Sequence, residues 1–119
     1  MNKIFLDFDG VLCNSLDLWE EWIGKTFNTQ DTKSKYWCDM GDRYGEAAML
    51  FWQEGSDVYE LSEPFDYATN FVDSLLQYDL KIITRTFPGM HNEKVKWFQR
   101  YLPQVDPANI ISLTTRKTA

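Results

Sequence analysis

Asp7-Phe8-Asp9-Gly10, Thr84 and Lys117 are the residues whose types and spacing suit chemistry on a phosphate group. Residues i and i+2 of a strand point to the same side, so the carboxyl groups of Asp7 and Asp9 are expected to share one site. Two such acids repel as anions, which favours a proton on one of them or a cation between them. One ionised carboxylate can then attack as a nucleophile while its neighbour carries a proton for the leaving group. The same residues would also suit a plain acidic turn, but their place directly after an apolar first strand argues for a site. Thr84 ends the run Leu80–Ile83 with a hydroxyl able to donate to a phosphate oxygen, although β-branched residues also complete strands for packing reasons alone. Lys117, three residues beyond Thr114, can neutralise charge on a transferring phosphoryl group. Neither Thr84 nor Lys117 is informative by itself; the set of three is.

The elements that must position these groups follow from hydrophobic periodicity. Ile4–Phe8 is a short apolar run ended by Asp9-Gly10, and it reads as a buried strand of a parallel sheet. Leu16, Trp19, Trp22, Ile23 and Phe27 recur at helical spacing. Residues 28–43 are polar and turn-rich, and a second helical stretch over Tyr44–Glu54 ends at Gly55. A third helix is expected from about Asp66 to Tyr78, then a strand at Leu80–Thr84. A helix over Asn92–Leu102 is stopped by Pro103, and Asn109–Thr114 forms the last strand. Strands alternating with helices imply a parallel sheet with right-handed crossovers. Residues 14–65 are too long for a loop and read as a helical cap inserted between 1–13 and 66–119, the phosphate-binding core. In such sheets ligands bind beyond the carboxyl ends of the strands, where Asp7, Asp9 and Thr84 fall.

Bulk composition narrows the partners. The 119 residues carry 12 Lys+Arg against 18 Asp+Glu, a net charge of −6. A surface this acidic disfavours a nucleic-acid duplex or an anionic membrane, while leaving room for a single phosphate held by local donors. Aromatic residues make up 16% of the chain, more than a core of this size needs, so some are expected to line a pocket or an interface. Cys13, Cys38 and the lone His91 have no zinc-type spacing, and the cysteines read as reduced thiols. No signal peptide or membrane span is recognised, and a cytoplasmic location is expected.

The pattern Ile4–Leu12 (IFLDFDGVL), then Leu80–Thr84 (LKIIT), then a lysine after the next strand resembles motifs I, II and III of the haloacid dehalogenase superfamily. Within it, the chain is similar to the 5'(3')-deoxyribonucleotidases. Phe51–Glu54 through Glu60–Pro64 resembles their return from cap to core. Glu93-Lys94 with Trp97 and Tyr101-Leu102, followed by Ile110–Thr118, resembles their approach to the motif III lysine. The resemblance implies a three-layer Rossmann-like α/β fold with a small helical cap. It implies Asp7 as the nucleophile that forms an aspartyl-phosphate and Asp9 as the general acid–base. Both aspartates would serve Mg²⁺, Asp9 also through its backbone carbonyl. Thr84 and Lys117 would bind the phosphate, with Arg85 as an added cation where the family carries a small hydroxyl residue. Lys94, at the start of a helix, is a rival to Lys117. Trp19, Trp22, Trp52 and Tyr59 are candidates to stack a base, although each is singly as well explained by cap packing.

The family's motif IV, an acidic pair on the next strand supplying a magnesium ligand, has no counterpart before Ala119, so metal binding is expected to be weakened. The leading expectation is an Mg²⁺-dependent phosphomonoesterase acting on a nucleoside monophosphate or similar small ester. The alternative is a catalytically weak or inactive nucleotide-sequestering protein, possibly viral. Without the motif IV strand, Ile4–Phe8 would become a sheet edge, and a homo-oligomer or a partner chain covering that edge is expected.

Overall fold

A computed structural model describes residues 2–32 and 38–114 of the chain. Three parallel strands form a sheet in the order β1-β2-β3: β1 is Lys3–Leu6, β2 is Asp79–Thr86 and β3 is Ile110–Thr114. Register pairs Ile4 with Leu80 and Leu6 with Ile82, and Ile82 in turn with Ile110. These aliphatic, largely β-branched residues suit a pleated, buried surface. The expected strands are present with shifted ends: β1 stops at Leu6 rather than Phe8, and β2 runs on to Thr86.

Strand order along the sheet repeats chain order, so both crossovers step the same way. Right-handed crossovers then bring α4 (Ala68–Leu75) and α5 (His91–Tyr101) to one face. Burial alternates accordingly in β2, where Leu80, Ile82, Thr84 and Thr86 are buried while Arg85 is exposed. On the opposite face Phe5 is 64% exposed, Leu113 47% and Ile111 37%. The fold is therefore α/β with a small parallel sheet, compatible with a Rossmann-like arrangement. Among the described residues it has two layers, where three were expected.

The segment between β1 and α4 leaves and returns side by side. Asn14 N donates to Glu63 O (3.0 Å), Glu63 N to Asn14 Oδ1 (2.9 Å), and Phe65 N to Leu12 O (3.0 Å). The segment contains α1 (Ser15–Thr26), α2 (Cys38–Tyr44), a 3-10 helix at Glu46–Trp52 and α3 (Val58–Leu61). Two expectations change here. The helix foreseen over Tyr44–Glu54 is a 3-10 helix, and α2 starts inside the stretch read as turns. Gly45 separates the two at φ +75°, a left-handed conformation that no continuous α-helix contains. One-turn α3 is too short for a helical period to register in the sequence.

A single apolar cluster joins the inserted segment to the sheet. Trp19 meets Trp52 edge-on at 5.4 Å, and Tyr59 and Phe8 lie 5.7 Å apart. Trp97 and Phe98 of α5 close on Phe8 at 4.8 and 4.9 Å. Complete burial of a ring such as Phe8 stabilises the fold by roughly 2–3 kcal/mol. Among the described residues no helix is long and apolar enough to cross a membrane.

Candidate functional site

The site is built where the chain leaves β1. Phe8 turns fully into the core, and the loop then tightens through Leu12 N to Phe8 O (2.9 Å) and Gly10 N to Cys13 O (3.1 Å). Gly10 holds φ +76°, and a Cβ there would stand 2.3 Å from Leu16 Cδ1. Only glycine lets this loop pass so close to α1 without strain. The result is to bring Asp9 to the carboxyl end of β2, beside the first turns of α5.

Asp9 is ringed by donors. Its Oδ1 accepts from Ser15 Oγ (2.8 Å) and Tyr59 Oη (3.0 Å). Its Oδ2 accepts from Lys94 Nζ (3.2 Å) and, at 3.5 Å, from Thr84 Oγ1. Lys94 is 1% exposed. Its ammonium also donates to Thr84 Oγ1 and to the carbonyl of Arg85, each at 2.7 Å, so each of its three protons has a partner. The ammonium stands 5.3 Å from the Tyr59 ring centre and 5.8 Å from that of Phe8, within cation–π range.

Burial and the aspartates perturb the neighbours in opposite senses. Burial lowers the Lys94 pKa, while the charges of Asp9 and Asp7 act to raise it. Tyr59 is pushed well above the usual phenol range by burial and then by Asp9. Burial, with Asp9 second, pushes the Cys13 thiol up to about 11. Cys13 is a free, buried thiol; the side chain of Cys38 lies outside the described residues. A second polar row continues past Thr84, with Thr86 Oγ1 donating to Ser112 Oγ (2.8 Å) and His91 Nδ1 2.6 Å from that hydroxyl.

Several sequence expectations are placed differently. Asp7 and Asp9 share no hydrogen-bond partner among the described residues: Asp7 is exposed, and its Oδ1 accepts from its neighbour Phe8 N (2.7 Å), while its charge acts on Lys94 and Tyr59 alongside that of Asp9. β1 ends at Leu6, short of both aspartates. Arg85 is exposed, and strand alternation directs its side chain away from Thr84; its share of the site is its carbonyl. Lys117 lies outside the described residues, and the lysine that faces Asp9 is Lys94. Trp19 and Trp52 are 2% and 3% exposed, and Trp19 Nε1 donates to Ala48 O (2.9 Å); both fill the core and offer no open face to a base. Trp22 is half-buried against Phe27 and Phe51. Tyr59 is buried: its hydroxyl donates to Asp9 and its ring faces the Lys94 ammonium. Ser15 was not foreseen, because a serine opening a helix reads as a capping residue.

Magnesium requires near-octahedral oxygen coordination. Among the described residues no three His, Cys, Asp or Glu side chains converge on one point. Lys94 faces Oδ2 of Asp9 and hydroxyls hold Oδ1, which leaves the Asp7 carboxylate as the open anionic oxygen donor. The donor set fits an ion that keeps several waters and leans on Asp7, and not one gripped by both carboxylates.

No protein-family model matches the chain, and no curated protein matches it.

Proposed function

We propose that the chain is a phosphomonoesterase of haloacid dehalogenase type, acting on a nucleoside monophosphate or a similar small phosphate ester. The reading is carried by one observation: Thr84 and Lys94 meet the Asp9 carboxylate at the strand ends, two residues from the exposed carboxylate of Asp7. An exposed carboxylate can reach an ester phosphorus, and a held carboxylate can manage a proton. In the first step Asp7 bonds to phosphorus, the ester P–O bond breaks, and the leaving oxygen takes a proton from Asp9. In the second, Asp9 takes a proton from water, whose oxygen displaces Asp7 and frees inorganic phosphate. Thr84 and Lys94 orient the phosphate oxygens and offset their charge. Mg²⁺, held by the Asp7 carboxylate and the main-chain carbonyl of Asp9, would supply further charge neutralisation.

Release of phosphate from a panel of nucleoside monophosphates, with Mg²⁺ and with EDTA, tests this. Turnover that needs the metal and vanishes in Asp7→Asn is expected, whereas a fully active Asp7→Asn protein removes the mechanism. A second reading, capture of a nucleotide without turnover, is favoured by the donors already seated on both Asp9 oxygens. It predicts calorimetric binding that survives Asp7→Asn, with no product formed over hours.

A further inference from the structure

We propose that His91, Ser112 and Thr86 form a second subsite, which holds a hydroxyl of the sugar that carries the phosphate. The inference deepens the phosphomonoesterase reading and rests on it. Thr84 pairs with Ser112 across β2 and β3, so the row begins one strand spacing, about 4.8 Å, from the hydroxyl assigned to the phosphate. His91 precedes Lys94 by three residues on α5, which puts the two on one face, about 5–6 Å apart. A hydroxyl one or two carbons beyond an ester oxygen spans a distance of that order.

Residue types change where the site begins. On the helix side β2 presents Leu80, Ile82, Thr84 and Thr86 in turn, and β3 presents Ile110 and then Ser112. Aliphatic side chains would pack there at no polar cost, whereas buried hydroxyls need partners. Those partners run in one direction. Thr86 Oγ1 stands 2.8 Å from Ser112 Oγ against 3.4 Å from Thr84 O, so its proton goes to Ser112. Ser112 then donates to His91 Nδ1 at 2.6 Å, and the neutral ring carries its proton on Nε2. The ring is half-buried, and among the described residues Nε2 has no partner. It is a positioned donor at the carboxyl ends of the strands, where ligands of such sheets bind.

The surroundings choose between a hydroxyl and a second phosphate. The Glu54 carboxylate lies against Gly89, at the turn that opens α5: a Cβ there would stand 2.0 Å from Glu54 Oε2. Glu93 lies in the first turn of the same helix, with Lys96 3.6 Å away. A second phosphate would meet both carboxylates, and the net charge of −6 adds to the repulsion. A neutral hydroxyl meets no such repulsion, and it both donates and accepts, as the members of this row do.

Calorimetry of the full chain with Mg²⁺ tests the assignment, using adenosine 5'-monophosphate, its 2',3'-dideoxy analogue and inorganic phosphate. The parent should bind the nucleotide about tenfold or more tighter than the dideoxy analogue, because a donor placed for a hydroxyl is left unmatched without one. His91→Ala and Ser112→Ala should each bring that ratio to within about twofold, while inorganic phosphate binds as in the parent. Circular dichroism checks the fold of both, and Ser112→Ala, the smaller change, carries the test if His91→Ala does not fold. A parent that binds inorganic phosphate and both nucleotides alike overturns the subsite and leaves the phosphate site standing. A parent that binds none of the three removes the phosphomonoesterase reading and the subsite with it. Discrimination that survives both substitutions assigns the hydroxyl to other residues and overturns the proposal as well.

Discussion

Asp7 and Asp9 are separated by one residue, yet the molecule treats them oppositely. Asp9 lies on the side of the sheet that α5 covers, its oxygens taken by Ser15, Tyr59, Thr84 and Lys94. Asp7 stands in solvent, its carboxylate accepting from the backbone N–H of Phe8. Phe8 divides them, because its burial among Tyr59, Trp97 and Phe98 fixes the direction in which the chain leaves β1. Identical carboxyl groups thus acquire different work from their neighbours. One is tied into the fold and positioned; the other is left open to solvent.

The sharpest way to break this contrast is to delete each carboxylate. Asp9→Ala strands a buried ammonium, and loss of one member of such a pair costs about 3–5 kcal/mol. Asp7→Ala should stay within about 0.5 kcal/mol, as surface changes do. Urea unfolding of both variants decides it, and equal losses would mean that Asp9 is no more embedded than Asp7. The pH dependence supplies a signature. Without Asp9 the folded-state pKa of Lys94, already lowered by burial, falls further below 10.5. Between that lower pKa and 10.5 the unfolded chain binds more protons, so stability must rise with pH there, over a wider window than in the parent.

Cys13 sharpens the contrast from the alkaline side. Its thiol titrates at about 11 when folded, against 9.0 as the ordinary value. The unfolded chain therefore ionises first. The thiol's contribution is whole below pH 9 and is lost as pH rises to about 11, at roughly 1.4 kcal/mol per unit, or about 2–3 kcal/mol in all. Tyr59 acts with the same sign at higher pH and Lys94 with the opposite sign, but both are present in Cys13→Ala as well. The difference between parent and Cys13→Ala across pH 9–11 isolates the thiol. Parallel stability curves would show that its burial, and the reach of Asp9's charge, are not as described.

Much of this was legible in advance where local pattern and tertiary outcome agree. The three strands are short aliphatic runs bounded by turn residues, and their order with the intervening helices dictates a parallel sheet. Thr84 reads as the end of its strand; β2 runs on to Thr86, and Thr84 meets Asp9 from within the strand. What failed depended on distance. In the sequence Lys94 is only a rival to Lys117, because nothing local to the first turn of a helix marks a buried lysine, and the packing of α5 against β2 is what sets it on Asp9. The pairing of Asp7 with Asp9 assumed that β1 ran through both; β1 ends at Leu6, and only the charges of the two aspartates meet, at Lys94 and Tyr59. Trp19 and Trp52 were open to a ligand-binding reading because aromatic type is visible in a sequence and burial is not.

Gly10→Ala tests whether the loop that separates the aspartates is held as tightly as its contacts imply. A left-handed φ costs an L-residue about 1–2 kcal/mol, and the added methyl must displace the Leu16 side chain. A loss of about 2 kcal/mol is expected, with turnover falling more than stability because Asp9 moves. A neutral Gly10→Ala variant would show that the loop has room to spare.

The smallest expected effect discriminates best between structural and chemical roles. Tyr59→Phe keeps the ring that packs on Phe8 and Trp52 and removes only the hydroxyl that donates to Asp9. Loss of one hydrogen bond to a carboxylate costs about 1–2 kcal/mol in unfolding. Trp19→Phe offers the matching control, because it removes a buried donor of similar standing that serves Ala48 rather than Asp9. If the Asp9 cluster is a site, the two variants should lose comparable stability while only Tyr59→Phe alters phosphate release or nucleotide binding. Should both leave those functions untouched, the donors around Asp9 are a device for burying an acid, and the chemistry must be sought at Asp7 alone.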